Sequence, residues 1–191
     1  MNKKCYITAF LVIFAYACQK QSIFDDEPVN PPLTVDEAKK WYESNFTEVK
    51  LSKQKTNYSS KVVNSLLWDM AITSQKGDIS AVEVPISSNL ERTYRCGSVP
   101  EGGPNSFPGL VIRRNMNSGK YQCRVMTVIC DSAYMLLPDF ESRMSRNRTF
   151  SLDEEFSGMI HFSMVNGRFT GGCRYADGKC IGTIRDRKSV V

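Results

Sequence analysis

The chain has 191 residues and a mass of 21.6 kDa, which suits one ordinary domain and excludes a large multidomain enzyme. Apolar residues make up 41% and charged residues 24%, with a net charge of +5, so the chain can build a core and is neither disordered throughout nor a protein with many membrane spans. It holds one histidine, which excludes the multi-histidine zinc and iron centres of many hydrolytic enzymes.

Residues 1–17 have the order of a secretory signal peptide. Two lysines, Lys3 and Lys4, precede an apolar run that ends in Ala15-Tyr16-Ala17, directly before Cys18. The run is shorter than the roughly 20 residues that a helix needs to span a bilayer. We therefore expect an exported protein.

Two kinds of cleavage fit this signal. Ala17 followed by Cys18 resembles the bacterial lipobox, whose cysteine becomes the acylated first residue of the mature protein. Ala15-Tyr16-Ala17 also fits an ordinary signal peptidase, and that alternative stays open. In the lipoprotein interpretation Cys18 is the lipid anchor, carrying palmitate-type chains, and several chains hold a membrane far more firmly than one.

Residues 18–33 predict a flexible tether between the anchor and the domain. The stretch is acidic and rich in proline, as extended spacers are. Gln19 replaces the aspartate that retains similar lipoproteins in the inner membrane, which favours the outer membrane. Whether the protein faces the periplasm or the cell surface stays open.

Residues 34–191 predict a single α+β domain, with one N-terminal helix packed on an antiparallel meander sheet of about six or seven strands. The helix begins with the capping-box pattern Thr34-x-x-Glu37. Turn signals at Lys76-Gly77-Asp78 and Asn117-Ser118-Gly119 predict hairpins, and the glycine- and proline-rich segment Cys96–Gly109 predicts a loop.

Asn166-Gly167 and Asp177-Gly178 predict two further hairpins at the end of the domain. If each is a two-residue loop, Ile160 faces Cys173, Tyr175 faces Cys180, Met164 faces Phe169 and Gly171 faces Ile184. One face of this meander is then apolar and the other polar. The predicted polar face carries His161, Ser163, Arg168, Thr170, Arg174, Thr183 and Arg185.

Several short motifs together resemble a group of uncharacterised outer-membrane or surface lipoproteins of Gram-negative bacteria. Besides the lipobox and the spacer, they are the segments Leu33–Glu43, Val82–Ile86, Phe156-Ser157-Gly158 and Tyr175–Lys179. The likeness covers most of the mature chain and implies a location and a style of fold, with no assigned activity. It transfers one residue role, the acylated Cys18, and this chain has more cysteines than such proteins usually have.

Five cysteines remain for the domain after Cys5 and Cys18 are set aside. An exported compartment favours disulfides, and an odd number predicts two bridges and one free thiol. The pairing stays open, although Cys123 and Cys130 would face opposite ways in one unbroken strand and Cys173 to Cys180 is sterically marginal. The candidates are Cys96, Cys123, Cys130, Cys173 and Cys180.

The sequence predicts no catalytic residue, no metal site and no cofactor. No Cys-x-x-Cys pair exists for zinc, and no Gly-x-Ser-x-Gly elbow exists for a serine hydrolase. His161 shares a predicted face with Ser163 and lies opposite Cys173, so a solvated sheet histidine is the favoured interpretation.

A basic binding face is the one candidate interaction surface. Arg168, Arg174 and Arg185 fall on the predicted polar face, and further arginines lie near in sequence, at Arg143, Arg146 and Arg148. They could meet an anionic glycan or a lipid head group, although a merely soluble charged surface is the commoner case. We expect no nucleic-acid partner for an exported chain whose aromatic residues lie on the core face.

The function expected from these features is that of a membrane-anchored lipoprotein, not an enzyme. Its small domain would bind an unknown envelope protein or glycan, while acylated Cys18 binds the membrane. Two alternatives stay open: a soluble secreted inhibitor or toxin-like module stapled by disulfides, and an envelope hydrolase that uses His161.

Overall fold

An antiparallel sheet organises the part of the chain that the computed structural model describes, which is residues 30–51, 63–89 and 105–185. The sheet has eight strands, so the predicted α+β class with a meander sheet fits, and the predicted six or seven strands is an undercount. The strands are β1 (Asn64–Leu66), β2 (Ile72–Lys76), β3 (Ile79–Ser88), β4 (Ser106–Asn115), β5 (Tyr121–Cys130), β6 (Gly158–Ser163), β7 (Phe169–Ala176) and β8 (Lys179–Ile184).

Three short α-helices accompany the sheet in the described residues. They are α1 (Val35–Asn45), α2 (Ser132–Met135) and α3 (Phe140–Met144), with one turn of 3₁₀ helix at Trp68–Met70. None of the helices in these ranges is both long and apolar enough to cross a membrane.

The strands from β2 to β8 form a meander in which each strand pairs with the next along the chain. β1 and β2 share the outer edge of β3, because β2 pairs with Ile79–Glu83 and β1 pairs with Ile86–Ser88. Pro85 lies in the gap between the two, where its missing N–H leaves no ladder hydrogen bond unmade. A proline therefore fits inside a long strand without ending it.

Residues 30–51 cover one face of the sheet, which we call the first face. Thr34 caps α1: its hydroxyl accepts a hydrogen bond from the Glu37 N–H at 3.2 Å, and the Glu37 carboxylate accepts one from the Thr34 N–H at 3.1 Å. Ala38 and Tyr42 of the helix pack into a core with apolar side chains of the central strands. These are Val82, Val84, Ile86, Leu110, Ile112 and Val125.

Residues 131–157, which carry α2 and α3, cover the other face, which we call the second face. Tyr134 and Phe156 are almost fully buried there and stack edge-to-face at 5.2 Å between ring centroids. They pack on side chains from alternate positions of the same central strands and of β6: Val111, Met126, Val128, Cys130 and Ile160. The middle of the sheet is thus buried on both sides.

A buried arginine fastens the start of the domain to the end of β4. Arg114 is 6% exposed, donates to the Pro31 carbonyl oxygen and to the Tyr121 hydroxyl at 3.2 Å, and lies 3.5 Å from the Glu37 carboxylate. Leu33 is buried in the first-face core and its N–H donates to Ser80 Oγ at 2.8 Å. Residues 30–33 therefore belong to the domain, although the sequence assigns them to the tether.

Gly158 at the start of β6 has no room for a side chain. Its φ is +152°, and a Cβ there would overlap the Ile129 carbonyl oxygen and lie 3.1 Å from Cys130 Cα. We expect Gly158→Ala to lower the free energy of unfolding by about 3 kcal/mol, because backbone atoms must shift to admit the methyl group. Urea unfolding followed by circular dichroism measures the change.

Gly182 supplies the matched control. It lies in the edge strand β8, and a Cβ there would meet no atom within 4 Å. Gly182→Ala should leave the unfolding midpoint nearly unchanged. An equal loss for both variants would contradict the close contact between β6 and β5.

Candidate functional site

A cavity of about 210 Å³ opens on the second face of the sheet, beyond the part that residues 131–157 cover. Five side chains from three neighbouring strands line it: Val111 and Arg113 of β4, Gln122 and Arg124 of β5, and Phe162 of β6. The floor is therefore apolar and aromatic, and the polar groups on it are two guanidinium groups and one amide.

Strand register brings these side chains together. Val111 pairs with Arg124 and Arg113 pairs with Gln122 across β4 and β5, so the four form two adjacent rows on one face. Phe162 pairs with Met126, two residues along β5 from Arg124. Because side chains alternate between faces, the residues between them point into the first-face core.

Like charges meet in this cavity. Burial lowers the pKa of the Arg113 guanidinium, repulsion from Arg124 lowers it further, and the carboxylate of Glu83 acts in the opposite direction. Glu83 is 4% exposed and accepts a hydrogen bond from the Thr149 N–H at 2.8 Å. In the described part of the chain, neither Arg113 nor Arg124 forms an ion pair within 4.0 Å.

Phe150 positions one of the two cations. The Arg113 Cζ lies 5.4 Å from the centroid of the Phe150 ring, which is a cation–π arrangement. The ring holds the guanidinium over the sheet, so the cation is oriented before any ligand arrives. Such preorganisation lowers the entropy cost of binding.

The chemistry of the lining is that of binding. Guanidinium groups form paired, charge-assisted hydrogen bonds with carboxylates and phosphates, and Phe162 and Val111 offer contact to an apolar part of the same molecule. The five lining side chains include no carboxylate, imidazole, thiol or hydroxyl, so none of them is a nucleophile or a general base at neutral pH.

A second cavity, of about 360 Å³, lies on the first face near the end of α1. Its lining includes Cys123, whose pKa burial raises to about 12, so the sulfur stays protonated and unreactive at neutral pH. Lys50 and Glu48 at its rim pair with each other at 2.6 Å and leave no net charge to recognise. We do not assign a ligand to this cavity.

The structure does not bring the three predicted arginines onto one face. β7 and β8 pair Arg174 with Gly182 and Gly172 with Ile184, so Arg185, the residue after Ile184, lies on the opposite face from Arg174. Arg168 precedes β7, and its guanidinium contacts Met164 Sδ at 3.0 Å. The expected basic face of Arg168, Arg174 and Arg185 is therefore divided between two faces.

Two of the other arginines are engaged in ion pairs. Asp153 is 2% exposed and accepts from Arg143 at 3.4 Å and from Arg146 at 3.1 Å, while Arg143 also pairs with Glu155. The Asp153 N–H donates to the side chain of Asn147 at 2.9 Å. This cluster fixes the fold of residues 131–157 on the second face.

The pairings predicted for the last hairpins are correct in part. Ile160 faces Cys173 and Tyr175 faces Cys180, as predicted. The other two are wrong, because irregularities in the ladder shift the register: Phe169 pairs with Ser163, and Ile184 pairs with Gly172.

His161 is more enclosed than a histidine on a solvated face. Its ring stacks edge-to-face on Phe169 at 5.2 Å, and burial lowers its pKa. Gly172 lies opposite, where a Cβ would come within 3.1 Å of His161 Cδ2 and 2.5 Å of the Ile160 carbonyl oxygen. Ser163 is only 5% exposed. The prediction that β6 presents a solvated polar face is therefore wrong for Ser163 as well as for His161.

The four described cysteines carry thiols and form no bridge in the structure, while Cys96 and Cys18 lie outside the described residues. Cys123 contributes to the first-face core and Cys130 to the second-face core, so the sheet separates them. Within the described ranges, no group of three or more metal-ligating side chains comes together.

Sequence reasoning missed Arg113 and Arg124, although a signal for them exists. Each belongs to a strand of a predicted hairpin; Arg124 lies between Cys123 and Val125, and Arg113 follows Ile112, and these apolar neighbours point to the other face. Pairing the two strands about the Asn117-Ser118-Gly119 turn brings both arginines to one face. To identify this face as the solvent-open one, it would first have been necessary to know that residues 30–51 cover the first face.

No protein-family description, curated protein or solved structure matches this chain. The resemblance to outer-membrane lipoproteins therefore stays a prediction, and function has to be argued from the cavity and the sequence.

The single histidine permits a direct test of its surroundings. We expect the His161 imidazole to titrate in the folded protein below its ordinary pKa of 6.5, because burial disfavours the charged ring. Since the unfolded chain then binds the proton more readily, stability should be constant above about pH 6.5 and fall as the pH drops below it. One-dimensional proton NMR of the lone imidazole signal measures the titration.

His161→Gln is the control for the linkage. The variant should lose this part of the pH dependence of unfolding between pH 7 and pH 5, while the carboxylate contribution at lower pH remains. A folded-state titration at or above pH 6.5 would contradict the enclosed position of the ring.

Proposed function

We propose that this protein is a membrane-anchored lipoprotein of the bacterial outer membrane, and that its domain binds an anionic ligand without transforming it. The ligand class is a small phosphate or carboxylate that carries an apolar or aromatic part. The observation that carries the ligand class is the cavity in which Arg113 and Arg124 lie close together over Phe162 and Val111.

The positive charge of the cavity favours an anionic ligand. Burial lowers the pKa of the Arg113 guanidinium, and repulsion from the neighbouring Arg124 lowers it further. A phosphate or carboxylate between them would relieve the repulsion and form charge-assisted hydrogen bonds to both. Gln122 adds an amide that can donate to a further oxygen.

Shape and chemistry support binding without turnover. The cavity is smaller than the 300–1,000 Å³ of typical drug-sized ligand pockets, so it suits a head group or a small molecule. Its lining side chains cannot act as nucleophile or base.

The membrane part of the proposal is supported by sequence. A basic start, a short apolar run and Ala17 before Cys18 have the order of a lipoprotein signal, and Gln19 favours the outer membrane. The secreted, disulfide-stapled alternative would share the export signal and lack the acyl chains, so labelling distinguishes the two.

The cavity is tested with phenyl phosphate, which joins an anion to an aromatic ring. We expect the full-length protein in nonionic detergent to bind it, with chemical-shift changes confined to residues around Phe162. Arg113→Met and Arg124→Met should each weaken binding about tenfold or more, because each removes a charge-assisted pair of hydrogen bonds.

Two controls make this test specific. Arg168→Met removes an exposed arginine elsewhere and should leave binding unchanged. Benzyl alcohol, which lacks the anion, should bind more weakly to the wild type and equally to all variants. Phenyl phosphate binding that is insensitive to both cavity substitutions would contradict the site.

The anchor is tested by metabolic labelling with a clickable palmitate analogue. We expect the wild type and Cys5→Ala to carry the label in the outer-membrane fraction, because Cys5 leaves with the signal peptide. Cys18→Ala should carry none. An unlabelled wild type, or a label that survives Cys18→Ala, would contradict the lipoprotein proposal and favour the secreted alternative.

A further inference from the structure

The last hairpin of the domain brings two cysteines to one face of the sheet. Cys173 lies in β7 and Cys180 is the second residue of the exposed strand β8, and the Asp177-Gly178 turn between the strands has φ values of +46° and +67°. The hairpin is held at its turn, because the Gly178 N–H donates to the Phe156 carbonyl oxygen at 2.9 Å and the Asp177 N–H donates to Ser157 Oγ at 3.1 Å.

An irregularity in the ladder sets the relation between the two cysteines. Cys173 pairs with Thr183 and Tyr175 pairs with Cys180, with a shift of register between Arg174 and Tyr175. Cys173 and Tyr175 share a face because they are two residues apart, and Cys180 lies directly across from Tyr175. The two thiols are therefore diagonal neighbours on that face.

The thiols also interact. Burial raises the pKa of the Cys173 thiol, and a hydrogen bond and electrostatic repulsion from Cys180 raise it further. Tyr175 is two residues from Cys173 and pairs with Cys180. Burial raises the pKa of Tyr175 to about 12, and Cys173 contributes to the increase. The Cys180 sulfur also lies 3.6 Å from the Gly182 carbonyl oxygen.

Access differs between this pair and the other described cysteines. Cys180 is exposed and Cys173 is partly exposed, so a reagent can reach the first and the second is beside it. Cys130 is buried with its sulfur 3.3 Å from Met144 Sδ, and Cys123, although partly exposed like Cys173, packs against the first-face core. Those two are on opposite faces of the sheet and cannot reach each other.

We infer that Cys173 and Cys180 are a disulfide-forming pair that staples β8, the exposed edge strand, to β7. The oxidant is a protein disulfide of the kind that donates bonds to exported chains. The Cys180 thiolate attacks that disulfide and forms a mixed disulfide, and the Cys173 thiolate then displaces the donor thiol. Two thiol protons leave, and two electrons reduce the donor to a dithiol.

The bond requires a local movement of the backbone, because the structure holds both residues as thiols. Diagonal neighbours on paired strands lie about 7–8 Å apart, whereas a disulfide needs Cα atoms roughly 4.4 to 6.8 Å apart and sulfurs about 2.05 Å apart. The residues that must move belong to the irregular part of the β7–β8 ladder and to the exposed end of the sheet, where neighbouring side chains offer little resistance. That the pair is oxidised in the cell rests on the proposed export, because a reducing compartment would keep it as thiols.

Trypsin provides a sharp assay, because cleavage sites separate the two cysteines. Cleavage after Arg168, Arg174, Lys179 and Arg185 puts Cys173 in the peptide 169–174 and Cys180 in the peptide 180–185. These peptides can stay together only through a disulfide. In full-length protein alkylated before digestion, we expect the linked species, two hydrogens lighter than the sum, and its complete loss on reduction.

Point variants and an oxidation carried out in vitro distinguish failure of this inference from failure of the proposed function. Purified reduced full-length protein is incubated with oxidised glutathione, which needs no export, and protein from the cell envelope is mapped in parallel. Cys173→Ser and Cys180→Ser should each abolish the linked species, and Cys123→Ser should keep it. A link formed in vitro and absent from envelope protein would uphold the pair and contradict the export proposal.

Two outcomes overturn the inference. One is the recovery of both peptides as separate alkylated species after in vitro oxidation of a folded protein. The other is a link from either peptide to one that carries Cys96 or Cys123. Unchanged circular dichroism of the two serine variants would show that they fold, so that loss of the link reports on the bond.

Discussion

Two-sided burial of the central strands is the constraint on which the rest of the structure depends. Val82 and Val84 of β3 point to the first face, and Val111 of β4 and Val128 of β5 point to the second, so neither face can be left to water. Each buried valine or leucine contributes roughly 1.5–3 kcal/mol. Two separate stretches, residues 30–51 and 131–157, therefore serve as covers, and the Arg114 contacts and the Asp153 cluster fasten them. Neither cover could be omitted without exposing half of the core.

The cavity exists because the second cover is shorter than the sheet. Residues 131–157 protect the rows that contain Met126, Val128 and Ile160, and their last contact toward the β4–β5 turn is the Phe150 ring on Arg113. Near this end of the sheet, the positions on the second face carry arginine and glutamine instead of valine. Repulsion between the partly buried Arg113 and the exposed Arg124 costs some stability, which an anion would return on binding. Arg143 and Arg146, by contrast, are paired with carboxylates.

Features of the fold that depend on residues close in sequence could be predicted, and features that depend on distant residues could not. The turns at Gly77, Gly119 and Gly178 need a positive φ, so glycine reveals them in the sequence and the strands beside them follow. The ladder shifts near Ser163 and Tyr175 lie within strands; Gly171, with φ +147°, lies at the first of them, but a glycine inside a strand does not specify the offset, and two predicted pairings failed there. The interpretation of the polar face failed for a nonlocal reason. Whether the face with Ser163 meets water depends on residues 49–51, which pair with Val165 and Asn166 across more than a hundred residues of chain.

The position of the first described residues relates the cavity to the proposed anchor. The Asn30 N–H donates to the Met116 carbonyl oxygen at 3.1 Å, so the chain enters the domain at the end of the sheet that holds the β4–β5 turn. Arg113 and Gln122, which line the cavity, are only one pair from the last pair of that hairpin, Arg114 with Tyr121. The twelve residues from Cys18 to Asn30 can span at most about 40 Å. A chain acylated at Cys18 would therefore keep Asn30, at the arginine end of the sheet, within about 40 Å of the lipid surface, whose phosphate groups are anions of the proposed class.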